Sequence, residues 1–155
     1  MDKRERGFLL VFFGIVTAIC MNADAEDLAI KGETAMVKVK ITIGNTVSVA
    51  SMEDNPVARD FISLMPLTIK MQDLAHEEKY GYASRKLRTD GMKSGYDPAP
   101  GDICCYAPWG NVCIYYGDHG YESLVKLGSL DLEGINALAK YSGDVTVTFV
   151  VDGEV

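Results

Sequence analysis

Much of the usual catalytic vocabulary is missing from this chain of 155 residues. It has four cysteines but no Cys-x-x-Cys, and its two histidines, His76 and His119, stand apart from each other and from the cysteines. A redox pair or a zinc site therefore lacks the usual sequence spacing, and no metal or cofactor is expected. There is no Gly-x-Ser-x-Gly elbow, no phosphate loop and no dinucleotide fingerprint. Positive charge is short as well: 15 Lys and Arg face 22 Asp and Glu, for a formal charge of −7. No basic stripe alternates with aromatics, which argues against a nucleic-acid surface. The most local absence is charge itself. From Ile103 to Tyr116 not one residue is charged, although 24% of the chain is.

The N-terminus reads as an address. Lys3, Arg4 and Arg6 precede an apolar run, Phe8 to Ile19, that is too short to span a bilayer comfortably. Small residues follow at Ala23 and Ala25. That order is the pattern of a signal peptide over residues 1–25, with a mature chain starting at Glu26, and it implies a periplasmic or extracellular protein without a membrane span. Residues 26–35 would be a lead-in and 36–155 the single domain. A lipid anchor on Cys20 is disfavoured, because the residue before it is the bulky Ile19. Three cysteines then remain, Cys104, Cys105 and Cys113, which permits at most one internal disulfide.

The rest alternates. In "MVKVKITI" (Met36–Ile43), Val37, Val39, Ile41 and Ile43 oppose Lys38, Lys40 and Thr42, as in a half-buried strand. Gly44-Asn45 is a turn pair, and Thr46–Ala50 is the returning strand. Asn55 can cap a helix with Pro56 in its first turn, running to Met65 and ending before Pro66. Leu67–Met71 alternates again. Gln72–Pro100 is the least regular region, with a Gly- and Pro-rich loop at Gly91–Gly101. Asp73, Glu77 and Glu78 read as a wet face. Ser123–Leu130 is a strand, Asp131 caps a short helix to Tyr141, and Asp144–Val151 is the last strand. Six or seven mostly antiparallel strands with two short helices predict a mainly β barrel or sandwich.

The uncharged stretch predicts a hairpin turning at Pro108-Trp109-Gly110-Asn111. Ile103, Cys105, Val112 and Ile114 then share one apolar face, and Cys104, Tyr106, Cys113 and Tyr115 share the other. In that register Cys104 and Cys113 are diagonal neighbours, and a one-residue shift would bring Cys105 opposite Cys113 within disulfide reach. The second face is expected either to lie under a helix or to form an exposed aromatic patch, the usual mark of a binding site. A cysteine nucleophile served by His119 is a weak alternative.

Three blocks carry a resemblance: "MPLTIKMQDL" (Met65–Leu74), "SGYDPAPGDICCYAPWGNVCIYYGD" (Ser94–Asp118) and "LVKLGSL" (Leu124–Leu130). In the second block Gly95, Tyr96, Asp97, Pro98, Gly101, Asp102, Tyr106, Trp109, Gly110, Asn111 and Tyr116 fit the pattern best. The span Met36–Val150 resembles the bacterial cyclophilin-like fold family, divergent relatives of the peptidyl-prolyl isomerases. The resemblance implies a closed antiparallel β-barrel with two helices packed at its ends. In true cyclophilins an arginine donates to the prolyl nitrogen beside an aromatic pocket and a glutamine orients the substrate. The Phe-His-Arg stretch and the glutamine-containing glycine-rich stretch of those enzymes are absent here. Gln72 is the one glutamine, and Arg85 and Arg88 are the candidate donors. The leading expectation is thus a barrel that binds a small molecule or an extended peptide through Trp109, Tyr96, Tyr106 and Tyr115. The alternatives are an atypical prolyl isomerase using Arg85, Arg88 and Gln72, and a partner-binding module.

Overall fold

The alternation at the start of the domain makes a strand with one dry face. In the computed structural model, which describes residues 36–153, Val39, Ile41 and Ile43 are buried while Lys38 and Lys40 remain exposed. The leader and the lead-in fall outside the described residues. This strand, β1 (Lys38–Ile43), turns through Gly44-Asn45 into β2 (Thr46–Met52), with Ile43 paired to Thr46. Gly44 sits at φ 56°, where a first turn residue of a two-residue hairpin must be and where a side chain would be strained. A Cβ there would also run into the Tyr141 ring.

Helix α1 (Pro56–Ile62) begins as its sequence dictates. Asn55 accepts from the Ala58 N–H at 2.9 Å and donates its amide to the Lys126 carbonyl at 2.8 Å, so one side chain caps the helix and ties it to a distant strand. The helix is shorter than expected, ending at Ile62 instead of running to Met65, with Ser63 as its last capping residue. Its Phe61 meets Phe149 edge to face, the centroids 5.2 Å apart, a contact worth about 0.5–1.5 kcal/mol beyond the area buried. Helix α2 (Leu132–Ala139) starts at the expected Asp131, which accepts from Gly134 N–H and from Ser48 Oγ.

The remaining strands are β3 (Leu67–Leu74), β4 (Glu78–Gly81), β5 (Asp102–Tyr106), β6 (Asn111–Tyr115), β7 (Leu124–Leu130) and β8 (Val145–Val151). Every ladder is antiparallel, and the order β1-β2-β7-β5-β6-β4-β3-β8 returns to β1, so the sheet closes into a barrel without edges. The mainly β barrel with two helices is as expected, but it has eight strands where six or seven were read. The extra one is β4, inside the span taken as least regular. Inward apolar residues of every strand but β4 join Val57, Phe61, Ala137 and Leu138 of the helices in one core.

A second, smaller cluster lies on the other side of the sheet. Cys104, Cys113, Tyr115 and Leu124 are buried there, with Tyr80, Tyr96 and Tyr106 packed against them. Its position on the outside of β4, β6, β5 and β7 sets up the site described next.

Candidate functional site

The hairpin β5–β6 has a four-residue loop, Ala107–Gly110, which pairs Tyr106 with Asn111 and Cys104 with Cys113. Cys104 and Cys113 are thus direct neighbours, a correction to the diagonal relation expected from a turn one residue later. Cys105 faces the core opposite Val112, away from Cys113, so no bridge joins them and all three thiols are free. Burial pushes all three thiols up, Cys105 to about 12 with the Asp60 carboxylate adding to it. Thiols held protonated in this way are poor nucleophiles.

The outer face of this hairpin is covered, but by loop and not by helix. The chain after β6 folds back so that the His119 ring lies 5.1 Å from that of Tyr115, and Glu122 bridges Tyr96 through reciprocal backbone hydrogen bonds. The cover is incomplete. It leaves a cavity of about 230 Å³ lined by Leu74, Glu78, Tyr80, Tyr106, Trp109, Asn111, Cys113, His119 and Glu122. Ligand pockets usually span roughly 300–1,000 Å³, so this one has room for a single ring or side chain.

The walls are of two kinds. Tyr106 and Trp109 meet edge to face at 5.4 Å, and Trp109 keeps 52% of its surface exposed at the rim. Gly110, at φ 65°, lets the hairpin tip press against Lys86 Cβ and the backbone of Leu87, and its carbonyl accepts the Leu87 N–H at 2.9 Å. That contact ties the hairpin tip, next to Trp109, to the segment before β5. Beside the aromatics lie polar groups. Glu78 is only 6% exposed and Asn111 only 2%. Glu78 Oε2 and Asn111 Oδ1 have no hydrogen-bond partner, nor has the Tyr115 hydroxyl next to them. Burial raises the Glu78 pKa above the ordinary glutamate value, and Tyr115 and His119 offset this only in part. His119 Nδ1 lies 2.9 Å from Glu77 and its Nε2 3.5 Å from Glu122. Burial works against its charged form, yet these acceptors hold its pKa above the usual histidine value.

The sequence-expected residues divide around this cavity. Trp109 and Tyr106 form its wall. Tyr115 is fully buried behind it and offers no ring to a ligand. Tyr96 lies to one side, donating to Asp102 Oδ2 at 2.8 Å with Lys126 5.7 Å from its ring. Gln72 accepts from the hydroxyl of Tyr80 at 2.7 Å and so braces a wall residue from outside. Arg85 and Arg88 are placed elsewhere: both guanidiniums bind the Asp60 carboxylate on α1, at 2.8 and 2.9 Å. Arg59, the remaining arginine among the described residues, pairs with Asp54.

Glu78, Asn111 and Glu122 were not among the expected site residues, and His119 was expected only as a weak partner for a cysteine nucleophile. Glu78 is not on a wet face, and neither is Asp73, whose carboxylate binds the buried Lys79 and the hydroxyl of Tyr116. The one available signal was that Glu78 and Tyr80 stand two apart in a short β segment, which puts them on one face. Among the described residues no His, Cys, Asp and Glu gather as a metal site would need, and no helix is long and apolar enough to cross a membrane.

Comparison with known proteins agrees with this architecture. A family model described as "Cyclophilin-like family" matches residues 41–150. The hypothetical protein AF2241 from Archaeoglobus fulgidus has a similar solution structure, with a TM-score of 0.58 at 13% identity over 74% of this chain and 94% of its own. McbB, solved in complex with tryptophan, aligns with a TM-score of 0.55 at 14% identity over 76% of this chain. The present chain spans 45% of McbB. No curated protein matches it by sequence.

Proposed function

The chain belongs to the cyclophilin-like family, and from that premise we propose that it is an exported binding protein whose barrel takes a small molecule, or one side chain of an extended peptide, in the cavity beneath Trp109. The observation that carries this is the pairing of an open aromatic wall with buried polar groups that have no partner. Leaving such groups unsatisfied costs about 1–3 kcal/mol each, a cost that a bound ligand can relieve. At similarity this low McbB testifies to the fold alone, but its tryptophan complex is an example of a protein with this fold holding an aromatic amino acid. Export rests on the ordered basic, apolar and small-residue segments of the leader; secreted or periplasmic material is expected to begin at Glu26, and a retained leader would refute it.

The isomerase alternative asks for a guanidinium free to donate beside the aromatic wall. Arg85 and Arg88 are both committed to Asp60, so the binding reading is the better supported. Trp109, the single tryptophan, is a clean reporter. Single-ring compounds and short aromatic or prolyl peptides should shift its fluorescence, with dissociation constants of about micromolar to millimolar given the small cavity. Tyr106→Ala should weaken the response about tenfold. Unchanged fluorescence at millimolar concentrations, together with prolyl isomerisation above the uncatalysed rate that Arg85→Ala abolishes, would favour the enzyme instead.

A further inference from the structure

The unpartnered atoms of the cavity also bear on what kind of ligand fits. We propose that the cavity recognises a small amine, with the protonated nitrogen held by Glu78 and Asn111 and an apolar or aromatic group against Tyr106 and Trp109; this rests on the binding role proposed above.

Three observations lead there. First, two of the residues lining the cavity, Glu78 and Asn111, each keep an acceptor oxygen, Oε2 and Oδ1, buried without a partner, while the unpartnered Tyr115 hydroxyl belongs to a residue outside the lining. What they lack is a donor, and an ammonium supplies three N–H bonds from one atom. Second, the lining is electrically one-sided. It contains the carboxylates of Glu78 and Glu122 but no lysine or arginine, and its one cationic group, His119, is already engaged by Glu77 and Glu122. An anion entering here meets like charge, whereas a cation gains a counter-charge in a partly desolvated site. Third, the remaining walls are the aromatic Tyr80, Tyr106 and Trp109 together with Leu74 and Cys113. Aromatic faces attract ammonium groups by about 0.5–2 kcal/mol and stack equally well on an attached ring. A buried carboxylate among aromatic rings is the combination that an organic cation needs. A neutral alcohol of the same shape would meet the donor requirement only once and would bring no positive charge to favour the carboxylate form of Glu78.

The cost falls on the empty protein, since Glu78 is kept at 6% exposure and Tyr115 and His119 offset its burial only in part. Groups held at such a cost without a structural partner are the ones that mark binding sites.

The test compares three probes of one shape and different charge on the full chain: phenethylamine, 2-phenylethanol and 3-phenylpropionate, followed by Trp109 fluorescence excited on the red side of the phenyl absorption. The amine should bind at least tenfold more tightly than the alcohol, and the carboxylate more weakly than either. Glu78→Gln, which keeps the shape and removes the charge, should erase the amine's advantage while leaving the alcohol's affinity within about twofold. Equal binding of amine and alcohol, or a preference for the carboxylate, overturns the amine assignment and leaves the cavity as a binding site. Silence from all three overturns both. Should Glu78→Gln fail to fold by circular dichroism, the charge series on the unaltered chain decides alone.

Discussion

Asp73→Ala is expected to lower folding stability by about 3–5 kcal/mol, the range for breaking a buried ion pair from one side. The reason is Lys79. Its side chain is 0% exposed and points into the barrel from β4, where Ile114 is its cross-strand partner. There it donates to Asp73 and to the carbonyls of Tyr141 and Gly143, and Tyr116 donates to the same carboxylate. Burial alone would raise the Asp73 pKa, but the bonds from Lys79, Tyr116 and the His76 N–H outweigh it and hold the carboxyl below its ordinary value. Deleting the carboxylate strands a cation inside a core. Urea denaturation at neutral pH measures the loss. Combining Asp73→Leu with Lys79→Met should recover part of it, because the charges then disappear together, though the two carbonyls lose their donor. A single Asp73→Ala cost below about 1 kcal/mol would mean that Lys79 reaches water.

Asp60→Asn is the second large effect. Asp60 is buried on α1 and gathers two guanidiniums and the Arg88 backbone N–H. These bonds anchor the otherwise irregular segment between β4 and β5, which in turn bonds Gly110 at the hairpin tip through Leu87. The Arg85 side chain is 40% and that of Arg88 72% exposed, so water screens part of the attraction. A loss of about 1–3 kcal/mol is expected, near the value of one or two charge-assisted hydrogen bonds. The pH dependence has a definite sign. The hydrogen bond from Arg85, opposed by burial and reinforced by both N–H groups of Arg88, depresses the Asp60 pKa far below the ordinary carboxylate value. A depressed acid contributes stability above its unfolded pKa, about 3.9. The gap between wild type and Asp60→Asn should therefore be full at pH 6 and shrink as the pH falls below about 4. A gap that stays constant down to pH 2 would show that the charge on Asp60 is not what holds the segment.

The barrel was legible where the chain obeys simple patterns. Val39, Ile41 and Ile43 alternate with lysines, Gly44 supplies the turn, and Asn55 and Asp131 announce their helices one residue ahead. What escaped is where a polar residue does something unusual. Strand β4 was invisible because its four residues put a lysine inward and a glutamate under a loop, so its charges mimic a wet surface. The hairpin faces were readable, but its register hung on whether Asn111 belongs to the turn or to the strand. Cover by the loop after Tyr115 carries no periodicity at all. Arg85 and Arg88 looked available because their partner, Asp60, lies 25 and 28 residues earlier, and local sequence has no means of announcing such a pair. Trp109 and Tyr106 of the candidate site could therefore be read from composition, whereas Tyr80 and the polar half depended on tertiary placement.

The most direct measurement is a chemical-shift map of the isotope-labelled full chain with phenethylamine or 2-phenylethanol, whichever binds more tightly. Saturable changes are expected at the Trp109 indole N–H, the Asn111 side-chain amide, and the backbone of Tyr106, Cys113 and His119, while Arg85 and Arg88 stay still. Shifts centred on the two arginines and α1, with the Trp109 and Asn111 signals unmoved, would contradict the account.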